Sequence, residues 1–316
     1  MTLPRVVITR RLPGNAVDRL AAIADVVVWP DRLPPSPAEL RSLAAEAAAL
    51  VTMVSDRVDA ALLDAAPGLR VVANLAVGYD NLDVAELRRR GVAASNTPGV
   101  LTEATADLAW ALILATTRRL PEGAAAVKNG DWLAWEPDWL LGRDVTGSTL
   151  GIVGYGRIGA AVAARARGFD MDVIAWNRSP KQAEGVTFVG LGELLERSDV
   201  VSVHCALNDE TRGLIGAAEL AQMKPTAVLV NTARGAVVDQ VALADALRRG
   251  VIFGAGLDVL VEEPIPVDDE LLSLPNCLVI PHLGSATVGA RTRMAEIAID
   301  NVLAALTGRP LPTPIT

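Results

Sequence analysis

Cysteine is nearly missing from this chain: 316 residues carry two, Cys205 and Cys277. Both fall at or within apolar runs, so two buried free thiols are expected, and no Cys/His cluster has the spacing a disulfide framework or a metal site requires. Histidine is equally scarce, with His204 and His282 alone, which leaves few side chains to move protons near neutral pH. Positive charge is in deficit, since 37 Asp and Glu face 29 Lys and Arg for a net charge of −8. That balance excludes a basic face for sequence-independent nucleic-acid binding, and local positive groups must hold any small anion. No apolar stretch reaches about 18 residues without a charge or a turn residue. The opening Met1-Thr2-Leu3-Pro4-Arg5 runs straight into a strand-like segment. Neither a membrane span nor a signal peptide is therefore expected, and the expected location is the cytoplasm. No internal repeat or low-complexity tract is evident beyond a general richness in alanine.

What is present is an α/β rhythm in a chain that is 51% hydrophobic and 21% charged. Val6–Ile8, Val26–Val28, Leu50–Met53, Val71–Ala73 and Val92–Ala94 read as short strands, with helix patterns near 14–23, 37–48, 59–66 and 83–90 between them. Alternation of this kind predicts a parallel sheet covered by helices. The loop Asn74-Leu75-Ala76-Val77-Gly78-Tyr79-Asp80-Asn81 follows the fourth strand. There Gly78 lets backbone N–H groups face an anion, or the segment is an ordinary turn before the next helix. Thr102–Thr117 is a long apolar helix that protein must cover. Trp132, Trp135 and Trp139 follow in a Pro-containing loop, either as local packing beneath it or as an interface or pocket wall.

The chain is organised around Gly151-Ile152-Val153-Gly154-Tyr155-Gly156-Arg157-Ile158-Gly159. An apolar strand runs into a Gly-x-Gly-x-x-Gly turn, and an Ala-rich helix pattern over 157–168 follows, which is the context a dinucleotide site requires. Gly154 permits the turn, Gly156 lets the backbone approach a pyrophosphate, and Gly159 lets the helix pack on the strand. The rhythm then resumes with strands at 171–176, 199–203, 227–231, 253–259 and 277–280, helices near 191–197 and 239–249, and an amphipathic helix over 287–306. The fold class expected is thus α/β with two doubly wound parallel-sheet domains. The expected organisation is a Rossmann cofactor domain, residues 99–285, inserted into a flavodoxin-like domain made of residues 1–98 and 286–316, which would be the substrate domain.

Three candidate strand ends carry chemistry. Arg234 lies in Asn231-Thr232-Ala233-Arg234-Gly235, Glu263 lies beyond Leu257-Asp258-Val259, and His282 stands in Pro281-His282-Leu283-Gly284-Ser285. An Arg fork grips a carboxylate bidentately, a His exchanges a carbinol proton, and a neighbouring Glu fixes the His tautomer and stabilises the protonated ring. Together they suit carbonyl reduction beside a carboxylate. Taken singly, each has a plainer reading: a surface ion pair, a solvated loop charge, a hydrogen-bonded turn residue. His204 is expected to line a strand end or the cofactor site rather than to act on substrate.

These motifs, with Asn96-Thr97-Pro98-Gly99-Val100-Leu101-Thr102 and Ala104-Thr105-Ala106-Asp107, give the whole chain a resemblance to the D-isomer-specific 2-hydroxyacid dehydrogenases, most similar among them to the glyoxylate/hydroxypyruvate reductases. The resemblance implies NAD(P)H-dependent reduction of a small 2-oxo acid, glyoxylate or hydroxypyruvate, to the D-2-hydroxy acid. It implies that His282 is the acid/base, that Glu263 supports it, and that Arg234 with the backbone of Val77 and Gly78 binds the substrate carboxylate. Trp139 would sit on a loop reaching the partner's active site in a homodimer formed through the cofactor domains. Cofactor contacts are implied at Thr105, Gly154, Gly156, Arg157, Ile158, Gly159, Asn177, Arg178, Ser179, Cys205, Ala206, Leu207, Thr211, Thr232, Ala233, Asp258, His282 and Gly284. No metal is implied. The end of the second cofactor-domain strand reads Trp176-Asn177-Arg178-Ser179, without the acid that bonds a ribose 2′-hydroxyl. Arg178 with Ser179 and Lys181 suits a 2′-phosphate, so NADP(H) is favoured over NAD(H), a solvated basic turn being the plainer reading. Ala206-Leu207-Asn208 stands where the family often has Pro-Leu-Thr, which leaves the contacts there open. Phosphoglycerate dehydrogenase and a non-catalytic NAD(H)-sensing corepressor-like protein are the alternatives.

Overall fold

The computed structural model describes residues 3–315. Met1, Thr2 and Thr316, the outermost residues of the expected substrate domain and the first two of the N-terminal run, lie outside them. The chain divides into two compact units, Met1–Leu101 with Ala286–Thr316, and Thr102–Ser285.

The first unit holds β1 (Arg5–Ile8), β2 (Asp25–Val28), β3 (Ala47–Thr52), β4 (Val71–Asn74) and β5 (Ala93–Ser95), all parallel, in the order β2-β1-β3-β4-β5. Helices α1 (Pro37–Ala44), α2 (Ala60–Ala65) and α3 (Val84–Arg89) cover one face through Leu40, Leu62, Leu63 and Leu87. The closing helix Val288–Leu306 covers the other, packing Ala295, Ala298, Ile299 and Val302 on Val6, Ile8, Val51 and Val71. Strands buried on both faces have no polar side to alternate, which is why they read as unbroken Val, Ala and Leu. The helices start where side chains satisfy their open N–H groups: Ser36 and Glu39 form a capping box, and Asp59, Asp83 and Thr287 each accept a first-turn N–H.

The helix pattern over 37–48 overshoots. The chain turns out of α1 after Ala44, and Ala47–Thr52 forms the central strand between β1 and β4. Sheet burial has overridden the helical preference of the alanine run. The stretch near 14–23 forms only a 3₁₀ turn, Ala16–Arg19, whose first-turn N–H groups receive no side-chain cap from Asn15.

The second unit begins with α4 (Thr102–Thr117) and α5 (Leu120–Asn129). The sequence pattern does not mark α5, since Pro121 and Gly123 fall inside it. Pro121 lies in the first turn, where the missing N–H is lost to no partner. The sheet comprises β6 (Thr149–Val153), β7 (Asp172–Trp176), the short β8 (Thr187–Phe188), β9 (Val200–Val203), β10 (Val228–Asn231), β11 (Gly254–Leu257) and β12 (Cys277–Val279). Its order, β12-β11-β10-β9-β6-β7-β8, is parallel throughout. Helices α6 (Arg157–Ala166), α7 (Leu191–Arg197), α8 (Ala217–Leu220) and α9 (Gln240–Arg248) complete the wrapping. Buried residues of α4 and α6 join the core on one face of this sheet, and those of α7, α8 and α9 join the core on the other. The apolar α4 is indeed covered: Ala106, Ala109, Leu112 and Ile113 are buried, and Trp110 donates to the Val162 carbonyl at 3.0 Å.

Candidate active site

Register places the candidate residues. Val153 pairs with Val203 and with Trp176, Val203 with Asn231, Asn231 with Leu257, and Leu257 with Val279. The strands therefore end level, and the residues after them emerge along one edge. β6 lies between β7 and β9. The chain order reverses there, which is where parallel sheets of this kind receive ligands.

The glycine turn stands at that point. Gly154 has φ of 97°, and a Cβ there would lie 2.5 Å from the backbone nitrogen of Cys205. Both the left-handed conformation and the close approach of the β9 loop demand glycine. A Cβ on Gly159 would lie 2.5 Å from the Gly154 carbonyl oxygen, whereas nothing lies within 4 Å of one on Gly156. Gly156 is the N-cap of α6 and offers no side-chain cap, so the N–H groups of the first turn, Arg157 and Ile158 among them, remain open. An open cradle over Gly156 with free helix N–H groups fits a dinucleotide pyrophosphate.

At the end of β7, the Asn177 side chain donates to the Ser179 carbonyl at 2.9 Å, and Lys181 donates to the Tyr155 carbonyl at 2.7 Å. The Arg178 guanidinium pairs with Glu210 at 2.6 Å, both side chains being exposed. Thr211 places Glu210: its hydroxyl donates to the Ala206 carbonyl at 2.7 Å and accepts the Asn208 N–H at 2.9 Å, closing the loop Ala206–Thr211 on itself. Cys205 and Leu207 are half-buried and Ala206 is exposed. His204 touches Ser202 through Nε2 at 2.8 Å and Thr232 through Nδ1 at 3.3 Å. Burial pushes its imidazole down to about 3, so it remains neutral and structural. Burial likewise raises both thiols, Cys205 to about 11 and Cys277 to about 12, which keeps them unreactive.

The remaining strand ends converge. Arg234 follows β10 in extended backbone, with its carbonyl accepting from Asn231 at 2.9 Å. Gly235 lies so close to the β11 loop that a Cβ would fall 1.9 Å from the Leu260 carbonyl carbon, which binds the Arg234 and Glu263 loops together. One Glu263 oxygen accepts the Leu260 N–H at 3.0 Å, and the other lies 2.7 Å from His282 Nδ1. Burial works to raise the Glu263 carboxyl, but the His282 hydrogen bond and charge, the Leu260 N–H and the charge of Arg234 outweigh it and hold the group below the usual carboxylate range. An ionised Glu263 accepts a hydrogen bond from Nδ1–H, so Nε2 is the nitrogen left to exchange a proton.

His282 sits at φ of 52°, a left-handed conformation that a non-glycine residue adopts only when its surroundings impose it. Asp258 imposes it: its backbone carbonyl accepts the His282 N–H at 2.9 Å, and its buried carboxylate accepts the N–H groups of Leu283 and Gly284. Thr105 completes the clamp by donating to the Gly284 carbonyl at 3.0 Å. Ala233 N–H is held by Asn231 at 3.0 Å, and Thr232 is buried beside His204.

Trp132 and Trp135 are 59% and 83% exposed, with Leu133 between them at 88%, and Trp139 is half-buried. Packing beneath the loop is thus ruled out for the first two. Val77 and Gly78 are half-buried in the first unit. Asn74, Asn81 and Asn96, which fix that loop, carry no role in the sequence reading; Asn74 ends β4 and Asn96 follows β5, and amide side chains at strand ends are the signal that marks these two. Among the described residues, no group of His, Cys, Asp and Glu is arranged to hold a metal ion, and no helix is long and apolar enough to cross a membrane.

Comparison with known proteins identifies the family and the fold. The sequence profile of the D-isomer specific 2-hydroxyacid dehydrogenase NAD binding domain matches residues 110–284. The glyoxylate reductase of Thermococcus kodakarensis is 50% identical, over 98% of this chain and 95% of its own. Among solved structures, the TT0316 protein of Thermus thermophilus superposes with a TM-score of 0.94 at 50% identity, covering 99% of this chain and 100% of that one. An NADPH-dependent glyoxylate/hydroxypyruvate reductase of Sinorhizobium meliloti, solved with NADP and malonate, gives 0.88 at 33% identity and covers 100% and 97%.

Proposed function

The chain belongs to the D-isomer specific 2-hydroxyacid dehydrogenase family, and from that premise we propose that it reduces a small 2-oxo acid, glyoxylate or hydroxypyruvate, to the D-2-hydroxy acid. The observation that carries the reading is the His282–Glu263 pair at 2.7 Å, within reach of the Arg234 charge. A bound nicotinamide dinucleotide supplies hydride to the carbonyl carbon. Gly156 and the N-terminus of α6 would hold its pyrophosphate, and Thr105, Thr232, Ala233, Asp258 and Gly284 would hold the nicotinamide end. Arg234 orients the substrate carboxylate, and within the first unit the backbone N–H groups of Val77 and Gly78 offer an anion contact. His282 donates the Nε2 proton to the carbonyl oxygen, and ionised Glu263 holds Nδ1–H and offsets the charge on the ring while it is protonated. In the oxidative direction His282 takes that proton back.

NADP(H) is the preferred cofactor. Arg178, Ser179 and Lys181 stand at the end of β7 where an acid would select NAD, and the S. meliloti relative was solved with NADP. A homodimer forms through the cofactor domains, covering Trp132 and Trp135, because exposed tryptophans of this size are anchors awaiting a partner surface. The test is loss of absorbance at 340 nm with glyoxylate, hydroxypyruvate, pyruvate and 3-phosphohydroxypyruvate, each with NADPH and NADH. Glyoxylate or hydroxypyruvate should be turned over fastest, with NADPH; silence on all four acids would refute the reading.

A further inference from the structure

In the first unit the chain leaves β4 at Asn74 and turns through Leu75–Asn81 before α3. Peptide planarity decides where the amides of this turn point, since in a trans peptide each N–H lies opposite the carbonyl of the preceding residue. The Ala76 carbonyl accepts the Thr97 N–H at 2.8 Å. The Val77 carbonyl accepts from the Asn96 side chain at 2.7 Å, and the Gly78 carbonyl from the Asn74 side chain at 3.1 Å. Three successive carbonyls are thereby held by the body of the unit, so the N–H groups of Val77, Gly78 and Tyr79 face the other way. None of the three donates a hydrogen bond to a described residue.

The two asparagines are themselves fixed. Asn74 is fully buried, and its side-chain oxygen accepts from Thr52 at 3.1 Å and from Asn81 at 3.2 Å. Asn81 is anchored in turn on the Met53 and Asp56 carbonyls at 3.0 and 2.9 Å. Asn96 is buried, and its backbone carbonyl accepts the Thr313 hydroxyl at 2.6 Å.

We infer that Asn96 and Asn74 are positioning residues, which hold the carbonyls of Val77 and Gly78 so that three consecutive N–H groups, including that of Tyr79, form one cradle for the substrate carboxylate. The inference rests on the proposed reduction of a 2-oxo acid and adds the side chains that shape its anion contact. The chemistry suits the residue type. A carbonyl needs a donor, and a neutral amide supplies one without placing a second charge beside the anion. Freed from the asparagines, each peptide is able to rotate and present its carbonyl, which repels a carboxylate. A row of unpaired N–H groups is the concave arrangement that binds anions elsewhere in proteins.

The test compares two substrates that share an aldehyde and differ in charge, glyoxylate and its methyl ester. Asn96→Leu removes the donor at similar size without adding charge. Asn96→Ser does so with less bulk, should the first fold poorly by melting temperature. The expected result is about a tenfold fall in kcat/KM for glyoxylate, carried by KM. The ester should change less than about twofold, with the KM for NADPH unmoved. A parallel fall for acid and ester, as a merely structural asparagine would give, overturns the proposal, and so does no fall for either. If the wild type reduces no 2-oxo acid, the functional reading itself has failed, and amide NMR then decides the cradle separately. Malonate should shift the Val77, Gly78 and Tyr79 resonances in the wild type and not in Asn96→Leu; equal shifts, or none in either, overturn it.

Discussion

Gly154 and Gly156 stand two residues apart in one turn, yet the structure assigns opposite consequences to the same substitution at each. Alanine at Gly154 must adopt φ of 97° and place its methyl 2.5 Å from the Cys205 nitrogen. The left-handed backbone costs about 1–2 kcal/mol, and forcing the β9 loop aside costs about 1–3 kcal/mol more. Gly154→Ala should therefore lose about 2–5 kcal/mol of stability and bind nucleotide poorly. At Gly156, φ is −92° and a methyl meets nothing within 4 Å. Gly156→Ala should fold as well as the wild type, or gain about 0.4–1 kcal/mol through a less flexible unfolded chain. Its methyl would nevertheless occupy the space that the pyrophosphate needs. Urea unfolding followed by tryptophan fluorescence, paired with NADPH titration, separates the two effects. A Gly156→Ala protein that binds NADPH normally, or a Gly154→Ala protein with unchanged stability, would refute the reasoning.

Three further predictions follow from individual contacts. Arg178→Ala should raise the KM for NADPH about tenfold and leave that for NADH nearly unchanged, while Glu210→Gln, by freeing Arg178, should lower it for NADPH alone. Equal effects on both cofactors would remove Arg178 from the phosphate site. His204 is held to about 3 in the fold and ordinarily titrates at 6.5. The unfolded chain therefore takes up a proton that the native state refuses, and stability falls with pH from 6.5 towards 3, by about 1.5 kcal/mol between pH 6.5 and 5. Buried Asp56 and Asp258, raised by desolvation, act in the opposite sense, so the comparison must be with His204→Gln, whose stability should fall less over that range. Identical pH dependence in the two proteins would contradict the shift. Finally, replacing Trp132 and Trp135 together by Ser should yield a monomer in analytical ultracentrifugation, and an unaltered dimer would show that these side chains do not form the interface.

The sequence made legible whatever neighbouring residues carry together. The glycine turn was readable because strand, turn and helix lie within Thr149–Ala166. The strands were readable because parallel strands covered on both faces are apolar throughout. Where local preference and tertiary context disagree, the reading fails: the alanines before Leu50 prefer helix but lie in the middle of a sheet. Helix α5 was hidden by the same logic, since Pro121 and Gly123 break a pattern that packing sustains. In the candidate site, residue types at strand ends pointed to Arg234, Glu263 and His282, but the left-handed turn at His282 and the Asp258 clamp that imposes it were not visible in that pattern. Contacts between distant positions were beyond sequence reasoning altogether, as with Arg178 and Glu210, 32 residues apart, or Asn96 on the Val77 carbonyl.

The central claim is that His282, held by Glu263, exchanges the proton while Arg234 orients the acid. It is tested most directly by the kcat for glyoxylate with NADPH in His282→Gln, alongside NADPH affinity measured by fluorescence. The account predicts a fall of about 10²–10⁴ in kcat with affinity for NADPH kept within about twofold. Turnover within about tenfold of the wild type would contradict it, because a glutamine amide neither gives up nor takes a proton near neutral pH.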